Sequence, residues 1–131
     1  MALIRSFREM NVCKAARQEA KIIFERSRAF PPEERYALTD QIRKSSRAVK
    51  AMIAEAWGRR GYIGVFVNKI DEALGEATET QSWLDDCFDA GYISPAEFAQ
   101  MDGAWQGIGA MLNNTIERAD DFCRSAQARR R

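Results

Sequence analysis

Residues 38–58 read LTDQIRKSSRAVKAMIAEAWG, and the spacing within them decides the fold. Leu38, Ile42, Ser45, Val49, Met52, Ile53 and Ala56 recur at intervals of three and four, the period of one helix face. A stripe of this kind is stable in water only when another helix covers it. Thr39 stands where a hydroxyl accepts an orphan amide proton as N-cap, with Asp40 and Gln41 in the first turn. Gly58 ends the element before Arg59, Arg60 and Gly61. Away from the seam the helix carries Arg43, Lys44, Arg47 and Lys50.

Upstream, Val12, Ala15, Ala16, Ile22, Ile23 and Phe30 repeat at helical spacing and predict a first helix over about Phe7 to Ala29. Pro31-Pro32 ends it, because neither residue has an amide proton and Phe30 is driven to an extended conformation. Downstream, Phe66, Ile70, Ala73, Leu74, Ala77, Thr80, Leu84 and Phe88 predict a third helix from about Ile63 to Ala90, capped by Gly91. Its small residues Ala73, Gly75 and Ala77 predict a close approach of a neighbouring backbone. Ser94-Pro95-Ala96-Glu97 is the sharpest local signal: a cap serine, a proline at the first helical position and a glutamate placed to close the box. A fourth helix then runs through Phe98, Met101, Trp105, Ile108, Met111, Leu112, Ile116, Ala119 and Phe122. Four long helices with short links predict an all-α, antiparallel up-and-down four-helix bundle. The 131 residues form one domain, since neither half is long enough for its own core, with an Arg-rich end at 126–131 expected to be flexible.

Charge is sorted along the chain. Residues 1–69 hold fifteen Lys and Arg against seven acids, residues 70–117 hold ten acids and no base, and residues 118–131 hold five Arg against two Asp. A total of +1 thus conceals segments of +8, −10 and +3, so packed helices can carry surfaces of opposite sign. The longest weakly charged stretches fall far short of the roughly 20 residues that span a bilayer. No seven-residue apolar core follows Arg5 and Arg8, so no signal peptide is expected. Cys13, Cys87 and Cys123 are odd in number and widely spaced, which reads as packed thiols in a reducing cytoplasm.

Chemistry is scarce. Without histidine the chain lacks the usual general base and the commonest metal ligand, and no enzymatic activity, metal or cofactor is expected. Glu72, Glu76 and Glu79, with Glu55 opposite, are the best carboxylate cluster, but di-iron bundles add Glu-x-x-His motifs that are absent here. They read as an acidic flank. Gly58-Arg59-Arg60-Gly61 lacks the strand and the lysine of a phosphate loop and reads as a basic turn.

Phe30-Pro31, Glu34, Tyr36, Leu38-Thr39, Gln41-Ile42-Arg43, Ser45, Val49, Ile53-Ala54-Glu55, Arg59 and Phe66 together resemble the signature of the proteins encoded in intervening sequences of bacterial 23S ribosomal RNA genes. The wider family includes the accessory variability proteins of diversity-generating retroelements. Ala73-Leu74-Gly75, Glu79-Thr80-Gln81, Leu84 and Gly91-Tyr92-Ile93 extend the resemblance over roughly Phe7 to Ile116. It implies a cytoplasmic helical protein assembling into a barrel-shaped homopentamer, which in the retroelement branch binds a reverse transcriptase and nucleic acid. Met52, Ala56 and Glu76 depart from the Asn, Gly and Ser common at those places in the family.

The candidate recognition surface is Arg43, Lys44, Arg47, Lys50, Arg59 and Arg60, supplemented by Arg124 and residues 129–131. Positions 43, 47 and 50 share one side of a helix and can follow a phosphate backbone, which provides salt-sensitive affinity without reading bases. Trp57, beside Arg59 and Arg60, is the aromatic best placed for a partner. The expected function is a homo-oligomeric scaffold presenting basic helices to structured RNA or to a reverse transcriptase-like protein. The alternative is a structural protein–protein module in which acidic helix three meets basic helix one or two of a neighbouring subunit.

Overall fold

Pro31 and Pro32 set the first boundary of the fold. In the computed structural model, which describes residues 4–129 and side chains as far as Arg124, Pro31 is extended (φ −57°, ψ 143°) and Pro32 opens a 3₁₀ turn over Pro32–Glu34. A π turn, Arg35–Thr39, follows without a break, closed by the Asp40 amide donating to the Arg35 carbonyl. The chain enters α2 (Asp40–Gly58) already helical. The expectation of an N-cap at Thr39 is therefore corrected. Its backbone is helical (φ −57°, ψ −52°), its hydroxyl caps nothing, and Pro32 at the first helical position has displaced the start upstream.

The remaining elements are α1 (Asn11–Ser27), α3 (Ile63–Asp89), α4 (Pro95–Glu117) and α5 (Ala119–Arg129), and no strand occurs among the described residues. Helix one begins later than its periodicity predicts. Met10 is extended (ψ 129°) between a 3₁₀ turn, Phe7–Glu9, and α1, which lets its side chain enter the core. The fourth helix is shorter than expected: Arg118 (φ −103°, ψ 23°) closes α4, and α5 restarts with Asp120 and Asp121 in the first turn, where acids suit the helix dipole. The flexible end expected at 126–131 falls on residues whose side chains lie outside the description, and Arg130 and Arg131 lie outside it altogether.

The seam of α2 is buried as its period requires, with Val49, Ile53 and Ala56 wholly inside against Phe66, Ile70, Ala73 and Ala77 of α3 in one core. Packing contacts run from α1 to α2, from α2 to α3, from α3 to α4 and from α1 to α4, while α5 lies on α3. Phe66 stacks on Phe122 at 5.8 Å, which fastens α5 to that core. The buried hydroxyls of Ser45 and Thr80 lie 2.9 Å apart across α2 and α3, one donating to the other, which in turn donates to a carbonyl of its own helix, so neither is orphaned. Ala73 and Ala77 of α3 are wholly buried, and Leu74 Cδ1 lies 3.5 Å from where Gly109 of α4 would carry a Cβ, an ordinary van der Waals contact. Gly75 faces outward with nothing within 4 Å of such an atom, against the expectation for it.

Both ends of the link between α3 and α4 behave as their sequence predicts. Gly91 is left-handed (φ +79°), its amide donates to the Phe88 carbonyl and the Tyr92 amide to that of Cys87, the two bonds of a Schellman cap. Ser94 Oγ accepts from the Glu97 amide at 3.1 Å, and Glu97 Oε1 accepts from the Ser94 amide at 2.9 Å. Glu97 has a second task that no local pattern reveals. The Arg26 guanidinium of α1 grips both its oxygens and also donates to the Tyr92 carbonyl, while Tyr92 donates to Glu34 at 2.8 Å and packs on Phe30 at 5.2 Å. One cluster thus ties α1, the 3₁₀ turn and the start of α4 together.

Arg26, and after it the Ser94 amide, hold the Glu97 carboxyl down from 4.5 to about 2. A depressed carboxylate pKa contributes stability that is complete above the unfolded value and lost as pH falls toward the folded one. Between pH 4.5 and 2, wild type is expected to lose denaturant resistance faster than Glu97→Gln, whose neutral amide does not titrate. Urea midpoints at pH 6, 4 and 3 check this, and parallel decline of the two proteins would refute the role given to Glu97.

Candidate functional site

Along α1 and its C-cap, Lys14, Arg17, Lys21, Phe24 and Arg28 repeat at threes and fours, and on α2 Arg43, Arg47 and Lys50 do the same. Packing α1 against α2 sets the two stripes side by side along a groove. One recess of about 270 Å³ is lined by Arg17, Ala20, Lys21, Phe24, Arg47 and Lys50. A second, of about 330 Å³, continues from it through the shared Arg17 and Lys50 to Arg8, Lys14 and Phe7. The groove is therefore cationic from end to end with an aromatic ring at each extremity.

Its cations have no ion-pair partner among the described residues. Among the described residues the ion pairs are Arg26–Glu97, Lys69–Glu55, Lys69–Glu72 and Arg118–Asp121, none of which involves Arg17, Lys21, Arg43, Arg47 or Lys50. Aromatic and hydroxyl contacts hold the guanidinium groups instead. Arg43 lies 4.8 Å and Arg47 5.1 Å from the centre of the Phe24 ring, with Arg28 at 6.0 Å, and Arg43 Nε donates to Ser27 Oγ at 2.7 Å. Cys13 lies beneath the second recess. Burial pushes its thiol up although Lys50, Arg17 and Arg8 pull the other way, so it is not an activated nucleophile.

The six site residues expected from sequence divide into three places. Arg47 and Lys50 line the groove with α1, and Arg43 adjoins it over the Phe24 ring. Lys44 turns toward α3, where it opposes the rise that burial and Glu79 impose on the Glu76 carboxyl. Arg59 and Arg60 sit beyond α2 in the turn to α3; Arg60 lies over the Trp57 ring at 3.9 Å, donates to the Trp57 carbonyl and is near enough to Cys123 of α5 to oppose the rise that burial and Asp120 impose on its thiol. What the sequence reading missed is the contribution of α1: Arg17, Lys21, Phe24, Arg28 and Ser27. Their spacing of four, three and four was the available signal, but it does not reveal the packing partner that makes it one wall of a groove.

The acidic flank has a different fate. Glu55 of α2 does come opposite Glu72 of α3, and Lys69 Nζ stands between them at 3.2 and 3.1 Å. Among the described residues no cluster of His, Cys, Asp and Glu could hold a metal ion. All three cysteines are buried free thiols, and desolvation carries Cys87 up to about 12. No helix among the described residues is long and apolar enough to cross a membrane.

The profile of the family described as 23S rRNA-intervening sequence protein matches residues 8–114. The fold is similar to the crystal structure, at 1.70 Å, of a protein with unknown function from the S23 ribosomal protein family of Bacteroides thetaiotaomicron VPI-5482. That likeness has a TM-score of 0.73 and 25% identity, and covers 81% of this chain and 95% of the other. No curated protein matches the chain.

Proposed function

Since the chain belongs to the 23S rRNA-intervening sequence protein family, we propose that it is a non-enzymatic homo-oligomeric scaffold that presents its α1–α2 groove to structured RNA. The observation that carries this reading is the run of cations along that groove that have no carboxylate partner among the described residues. Phosphates are the polyanion such a row fits: contacts spread along two helices confer affinity through counterion release and no base specificity. The short links of residues 59–62 and 90–94 favour an antiparallel up-and-down bundle, and a barrel-shaped ring, with five copies favoured, multiplies weak contacts by avidity. A reverse transcriptase-like protein, the partner of the retroelement accessory branch, is the protein counterpart of the same reading, set in the cytoplasm. The purely structural module draws support from the Lys69 bridge between Glu55 and Glu72, which uses part of the sorted charge inside one subunit. It leaves the α1–α2 cations unused.

Light scattering of the purified protein, alone and with a folded RNA, tests the reading. A multiple of the 14.9 kDa chain is expected, with RNA retained near 50 mM salt and released as salt rises, log K falling by about 0.7 to 0.9 per phosphate contact for each unit of log salt. A 14.9 kDa particle, or no retention at low salt, would overturn it.

A further inference from the structure

We infer that the Phe24 end of the groove is a discrete phosphate-binding site, in which one aromatic ring organises the guanidinium groups that grip the anion. The inference rests on the RNA reading above and adds to it where along the groove the phosphate is held and by what.

Three arginines from two helices surround a single ring. Arg43 and Arg47 reach Phe24 from α2 and Arg28 from the C-cap of α1, at 4.8, 5.1 and 6.0 Å from its centre. Like charges gathered in this way repel one another, and no carboxylate among the described residues pairs with them: Glu25 and Asp40, the nearest acids along the two helices, form no ion pair with them. Something must offset that repulsion. The negative face of the aromatic ring supplies part, and the Ser27 hydroxyl, accepting from Arg43 Nε at 2.7 Å while donating to the Phe24 carbonyl at 3.0 Å, fixes one guanidinium in orientation. A guanidinium held through Nε and its face retains its terminal amino groups for a second acceptor, and two planar forks match the oxygens of a phosphate bidentately. Arg47 and Phe24 also line, with Arg17 and Lys21, the adjoining recess, whose volume of about 270 Å³ accommodates a phosphate group with part of its ester.

Such an arrangement differs from a diffuse basic surface in one testable respect: it depends on the ring as well as on the charge. Phe24 is a positioning residue, acting through Arg43 and Arg47. Phe24→Leu leaves net charge unchanged, as does Arg47→Lys, which removes the fork but keeps the cation. Binding is measured by calorimetry with pyrophosphate and with one folded oligoribonucleotide carrying either a 5′-phosphate or a 5′-hydroxyl, on proteins checked for helicity and mass. Phe24→Leu and Arg47→Lys are each expected to weaken binding about fivefold or more, while Phe24→Tyr restores it to within about twofold. Stronger binding of the 5′-phosphorylated form assigns the site to a terminal phosphate, and equal binding assigns it to internal phosphodiesters.

RNA binding that is indifferent to Phe24→Leu and Arg47→Lys would overturn this site and leave the broader reading standing. Phe24-dependent pyrophosphate binding without RNA binding would do the reverse. Absence of binding by every probe would sink both. Should Phe24→Leu fail to fold, the exposed Arg47→Lys exchange decides alone.

Discussion

Trp105→Ala is expected to destabilise the protein by about 3 to 5 kcal/mol, the largest single-residue effect on folding that the structure supports. The indole is wholly buried on α4, in the core it shares with Phe66, Ile70 and Leu112, so its removal leaves a large void that rigid helices close only in part. Trp105→Phe should behave differently. Trp105 Nε1 is the one buried side-chain donor without a partner among the described residues, and an orphan of this kind itself costs about 1 to 3 kcal/mol. Phenylalanine removes that donor together with some packing volume, and the opposing terms leave a net loss of about 1 kcal/mol or less. Urea denaturation at one fixed protein concentration, since any assembly would add to apparent stability, compares the two. Equal losses for Trp105→Phe and Trp105→Ala would show that the indole nitrogen has an acceptor in solution.

Reversing charge in the groove is the second large effect. Arg17→Glu, Arg47→Glu and Lys50→Glu together should weaken RNA retention by about a hundredfold or more at 100 mM salt, since three phosphate contacts become repulsions and the counterions they released are no longer released. These three are chosen because Arg43 is tied to Ser27 and its reversal would disturb the helix pair as well. Reversing Arg59 and Arg60 in the same background is expected to matter much less. Arg60 is folded over Trp57 toward α5, and neither residue lines the groove. Gel-shift titrations with mass and helicity held constant check both statements. An equal effect from the Arg59–Arg60 pair would move the interface to the α2–α3 turn.

Legibility followed the range of the interactions. The capping box at Ser94 and the glycine cap at Gly91 were readable because every partner lies within five residues. The apolar seam of α2 was readable because burial imposes the helical period on the chain itself. Thr39 was misread because a threonine before a helix usually caps it, whereas here Pro32 had already begun the winding seven residues earlier. The break at Arg118 was likewise invisible, because apolar spacing continues across it through Ala119 and Phe122. At the candidate site, Arg43, Arg47 and Lys50 were legible as one helix face, but Lys44 and Arg60 were grouped with them by sequence proximity alone.

By itself the sequence determined that the chain is helical, where most helices begin and end, and that positive and negative charge occupy separate stretches. Those properties are set by neighbours a few positions apart, through periodic burial, caps and composition. Only the tertiary structure decided that Phe24 collects arginines from two helices, that Arg26 closes on Glu97, and that Lys69 fills the gap between Glu55 and Glu72. Each of these joins residues 14 to 71 positions apart, or spans two helices whose relative rotation is fixed by how their buried stripes interlock. The stripe specifies which face of a helix goes inward; which outward residues then meet depends on the packing of the inward ones.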